Sequence, residues 1–80
     1  KLLAAHSEYL REQYANGMFL MSGRLVPRTG GVILATADSK ADIEAVIELD
    51  PFNEAGAASY TITEFVPTKT ADFLSAFKQA

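Results

Sequence analysis

The chain has 80 residues, 49% of them hydrophobic, with a formal net charge of -3, one histidine and no cysteine. That length limits it to one domain, expected over residues 1–80, and the acidic balance argues against nucleic acid or an anionic membrane surface as partner. Without cysteine there is no disulfide framework or thiolate nucleophile, and one histidine cannot build a histidine-rich zinc site, so no metal is expected.

The first element is a helix. Over 2–14 the apolar residues Leu2, Leu3, Tyr9, Leu10 and Tyr14 recur at helical spacing, with Glu8, Arg11 and Glu12 opposite. Asn16-Gly17 closes it, glycine being the residue that most cheaply turns left-handed after a helix. His6 stands four residues from both Leu2 and Leu10, which places its ring on the packed stripe. Residues 18–25 form an apolar run too short for a second helix between its breakers and read as a strand. Val26-Pro27-Arg28-Thr29-Gly30-Gly31 is a turn, and 32–36 is β-branched enough to return antiparallel.

Asp38 and Ser39 offer helix caps, and Ser39 with Asp42 has capping-box spacing. Ile43, Val46, Ile47 and more loosely Leu49 give the stripe of a helix that stops at Asp50, because Pro51 bars its continuation. Leu49 and Phe52 should draw that corner, and its carboxylate, toward a core. Residues 53–56 read as a loop. The stretch 57–66 alternates Tyr60 and Ile62 against Ser59, Thr61 and Thr63, the period of a strand, and 70–77 reads as a short closing helix capped by Thr70.

This α-β-β-α-β order is a split β-α-β unit without its opening strand. The expectation is therefore that one strand of about 5 to 10 residues precedes Lys1. No apolar run approaches the roughly 20 residues of a membrane span, and the start lacks a signal-peptide layout, so a cytoplasmic protein is expected.

Several of these residues together resemble the YciI-like (YCII-related) family: His6 on the first helix, Met21-Ser22-Gly23 leading to Pro27-Arg28-x-Gly30-Gly31, Asp50-Pro51-Phe52, and Tyr60-x-Ile62-x-x-Phe65. The resemblance covers nearly the whole chain, and its most specific part is Asp-Pro-Phe combined with the upstream helical histidine. It implies a ferredoxin-like α+β fold, an antiparallel sheet with helices on one face, that dimerises sheet to sheet as a dimeric α/β barrel. It also implies an active site holding His6 and Asp50. Many members carry proline after Ser-Gly, where this chain has Arg24. Some relatives act on small aromatic or lactone-like compounds, a dehydrochlorinase among them.

Histidine suits proton transfer because both its forms exist near neutrality, and a carboxylate on one ring nitrogen selects the tautomer and stabilises the charged ring. The pairing of His6 with Asp50 is thus the leading expectation: a homodimeric, cofactor-independent lyase or isomerase taking a proton from a small organic substrate. The competing expectation is a non-catalytic ligand-binding or accessory domain, with His6 satisfied by a backbone carbonyl and Asp50 turning the chain; a module serving a larger enzyme is a third. Arg24 and Arg28 are candidate holders of an anionic substrate, or else an edge charge and a solvated loop residue. Ser22 and Tyr60 are further candidates for substrate contact, against the plain readings of a wet sheet face and a core aromatic. Gly30-Gly31 lacks the spacing and following helix of a phosphate loop.

Overall fold

In the computed structural model, which describes residues 1–56 and 58–79, the chain forms α1 (Leu2–Ala15), β1 (Phe19–Arg24), β2 (Gly31–Ala35), α2 (Lys40–Glu48), α3 (Pro51–Glu54) and a closing 3-10 turn (Asp72–Phe77). This is an α+β architecture, a two-stranded antiparallel sheet with helices, consistent with a ferredoxin-like fold. None of the helices among the described residues is long and apolar enough to cross a membrane.

On α1 the packed face is His6, Tyr9, Leu10 and Gln13, spaced i, i+3, i+4 and i+7, with Tyr9 and Gln13 buried. The stripe is thus displaced from the expected one: Leu3 is 69% exposed, and a polar Gln13 lies inside because its Oε1 accepts a hydrogen bond from Asn16 Nδ2 at 3.1 Å. Gly17 follows at φ +83°, a left-handed turn that glycine makes without Cβ strain.

β1 and β2 pair from Phe19 opposite Ala35 to Arg24 opposite Gly31, with a bulge at the Phe19/Met21 step. A Cβ on Gly31 would stand 3.1 Å from the Gly23 carbonyl oxygen, a tight contact that the ladder would have to open by a few tenths of an ångström. Phe19 is buried and meets the rings of Tyr9 and Tyr14 edge-on at 6.0 and 6.1 Å, which anchors one end of the hairpin to α1. From Met21 onward β1 is exposed. The Cα radius of gyration, 13.7 Å, exceeds the about 12 Å of a compact chain this long, in keeping with a hairpin held at one end.

Ser39 caps α2 by accepting the Asp42 N–H, the interaction its spacing predicts. Ile43, Val46 and Ile47 form the half-buried face, whereas Leu49 is exposed and is not part of it. The expected loop at 53–56 is corrected in part: Pro51 at the first helical position starts α3, which runs to Glu54 before Gly56 turns left-handed.

The expected strand at 57–66 is also corrected. Ala57 lies outside the described residues, and 58–66 takes no regular secondary structure and belongs to no ladder among them, where β1 pairs with β2. Alternation sorts side chains onto two faces, and it does so here, Tyr60 and Ile62 half-buried between exposed Ser59, Thr61 and Thr63. A ladder additionally needs a neighbour's N–H and C=O groups. Thr70 does not cap the closing element: Ala71 stands at that position without a side-chain cap bond, and the turn is 3-10. The end of this segment folds back through Gln79 N–H donating to the Pro67 carbonyl at 2.8 Å.

Candidate functional site

Asp50 leaves α2 with its backbone N–H donating to the Ile47 carbonyl, then enters α3 as its N-cap in an extended conformation. Its Oδ1 accepts the Phe52 N–H at 3.0 Å, so an acidic residue before Pro-Phe is held both by the preceding helix and by the following one. α1 packs against α3. One consequence is that His6, a turn before Leu10, meets a residue 44 positions away: Nδ1 lies 2.8 Å from Asp50 Oδ1. The imidazole lies flat on Phe52, with ring centroids 4.0 Å apart and planes 5° from parallel.

The third partner comes from stretch 58–66, which carries no ladder among the described residues. Tyr60 donates its phenol to Asp50 Oδ2. Asp50 is 1% exposed, and a carboxylate so buried needs its hydrogen-bond capacity filled. Burial by itself would raise the Asp50 pKa; the hydrogen bonds from Tyr60, His6 and the Phe52 amide, with the charge of His6, outweigh it and hold the group below the usual carboxylate range. Burial and then the bond and charge of Asp50 push the Tyr60 phenol up, so it stays a donor across the physiological range. Tyr9 is pushed up to about 12 by burial and by the Asp50 charge, and its hydroxyl donates to the Val46 carbonyl at 2.7 Å, tying α1 to α2.

An ionised carboxylate only accepts, so Nδ1 carries the proton, and whenever the ring is neutral its lone pair is at Nε2. Among the described residues Nε2 has no hydrogen-bond partner, and it is not one of the buried orphaned atoms. The His6 side chain is 17% exposed. An imidazole with one nitrogen against a buried carboxylate is an arrangement that can exchange a proton at the other.

Other singled-out residues gather elsewhere. Ser22 and Arg24 line a shallow depression of about 380 Å3 on the hairpin with Met21, Val32 and Leu34. Ser22 also shares a hydrogen bond with the Tyr14 hydroxyl. Arg28 is exposed in the turn, where Leu25 N–H donates to the Gly30 carbonyl at 2.8 Å. Sequence reasoning missed Phe52 as the platform of the histidine ring; its place in Asp-Pro-Phe was the available signal. It also missed Gln13, whose spacing four residues after Tyr9 marks the same face.

Comparison with curated proteins and with solved structures yields no match. A family model described as the YCII-related domain matches residues 1–66, the span that carries α1, the hairpin, the Asp50 corner and Tyr60. With most of its length matched, the chain belongs to the YCII-related family.

Proposed function

We propose that this YCII-related domain is a cofactor-independent acid–base enzyme of lyase or isomerase type, working as a cytoplasmic homodimer on a small aromatic or lactone-like compound. His6 Nε2 removes a proton from a carbon beside a carbonyl, or from a phenol, and Asp50 stabilises the imidazolium that results. The imidazolium then returns the proton at another atom, which isomerises the substrate, or to a departing group, which completes an elimination. The observation that carries this reading is a part-exposed imidazole, 17% accessible, with its Nδ1 2.8 Å from the buried Asp50 carboxylate. For the dimer, the support is the apolar surface of the hairpin, with Met21 59% and Val32 55% exposed.

The test is hydrogen–deuterium exchange at acidic C–H positions of small lactones and phenols, followed by NMR with wild type and His6→Gln. Exchange catalysed by wild type and reduced about 10²-fold or more in a folded His6→Gln is expected. A second reading has its own support: Asp50 caps α3 and clamps Tyr60, which is what a structural corner also does. Ligand binding without exchange, undisturbed by His6→Gln, would establish that non-catalytic reading.

A further inference from the structure

The acid–base reading assigns work to His6 and Asp50 but leaves open what holds Asp50 in register. Its two oxygens are used differently. Oδ1 takes both the imidazole Nδ1–H and the Phe52 amide, while Oδ2 has one side-chain donor, Tyr60. Rotation about the soft Cβ–Cγ torsion moves both oxygens together, so it is resisted by the Nδ1 and Phe52 amide donors on Oδ1. A donor on Oδ2 stiffens that torsion further and distinguishes the two oxygens. Tyr60 can supply it because it is half-buried between exposed Ser59 and Thr61, on the same inward side as Ile62.

Resting on the acid–base reading, we propose that Tyr60 is a positioning residue: its phenol, donating to Oδ2, holds the Asp50 carboxylate in the rotamer that receives the His6 Nδ1–H and so leaves the lone pair at Nε2. Tyr60 thereby acts on the imidazole through Asp50 and touches no reacting atom. The arrangement also ties stretch 58–66, which has no ladder among the described residues, to the imidazole on α1 through the Tyr60 and Asp50 side chains. Burial and the Asp50 charge favour the neutral phenol, which keeps the donor in place.

Because His6 is the only histidine in the chain, its ring nitrogens give unique signals in a ¹⁵N NMR spectrum, and no substrate is needed to read them. Wild type should show the neutral ring as the Nδ1–H tautomer. Tyr60→Phe should convert it to a mixture of both tautomers and shift the Asp50 carboxyl midpoint upward in a ¹³C titration, the Asp50 signal being identified by its loss in Asp50→Asn. Tyr60→3-fluorotyrosine, a stronger donor of nearly the same shape, should move the Asp50 midpoint the other way and keep the single tautomer. It provides the reading if Tyr60→Phe does not fold. Opposite signs in the two variants are not expected of a ring that only fills space. A wild-type Nδ1–H tautomer with both variants unchanged in tautomer and midpoint overturns the role of Tyr60 alone. A wild-type ring protonated at Nε2 overturns the acid–base reading beneath it as well.

Discussion

Asp50→Asn separates the charge of this residue from its shape. Asparagine caps a helix about as well as aspartate, so the start of α3 at Pro51 should survive. What changes are the bonds from His6, Tyr60 and the Phe52 amide, each of which loses an ionised acceptor. Hydrogen bonds to charged groups contribute about 1.5–3 kcal/mol against about 0.5–1.5 for neutral ones. Downgrading these, offset in part by burying an amide in place of a carboxylate, leaves an expected loss of about 2 kcal/mol at neutral pH. Urea unfolding followed by circular dichroism should register this as a midpoint lower by about 1–2 M, given a slope of about 1–2 kcal/mol per M. The pH dependence supplies the sharper signature. The folded pKa of Asp50 is depressed, so over the interval between it and the unfolded value of about 3.9 the unfolded state binds more protons and stability rises with pH. The wild-type advantage over Asp50→Asn should therefore be full above that unfolded value and fade as pH falls through the folded midpoint. An Asp50→Asn variant as stable as wild type at neutral pH, with the same acid limb, would mean that desolvation of the carboxylate cancels its hydrogen bonds and would refute this account.

Phe52→Ala removes the platform under the imidazole, and a stack of this geometry is worth about 0.5–1.5 kcal/mol beyond area burial; the urea midpoint should fall, and the ¹⁵N signals of His6 should broaden as the ring gains freedom. Gly17→Ala places a Cβ at φ +83° in otherwise open space, so the cost is conformational and should be about 1–2 kcal/mol, read as a lower melting temperature with the site signals unchanged.

Local chemistry made much of this molecule readable in one dimension. The amphipathic period of α1, the Asn16-Gly17 stop, the Ser39 cap and the proline after Asp50 act over three or four residues, and each marks a boundary wherever the rest of the chain goes. The hairpin was legible for the same reason, since its turn residues join strands adjacent in sequence. Stretch 58–66 keeps its alternation yet joins no ladder among the described residues, because alternation reports which side chains share a face, while a ladder depends on a neighbour that sequence proximity does not supply.

The site divides along the same line. Histidine on an inward stripe and aspartate pinned before proline were recognisable as residue types suited to one another, and the family pattern named them as a pair. Only tertiary packing decided the rest. Packing α1 against α3 brings atoms 44 residues apart to 2.8 Å, sets Phe52 under the ring and turns the Tyr60 phenol onto the second carboxylate oxygen. Sequence thus determined which groups can exchange a proton, because that is a property of each side chain. Structure decided which ring nitrogen meets the carboxylate, because a hydrogen bond depends on distance and direction between groups the chain itself keeps far apart.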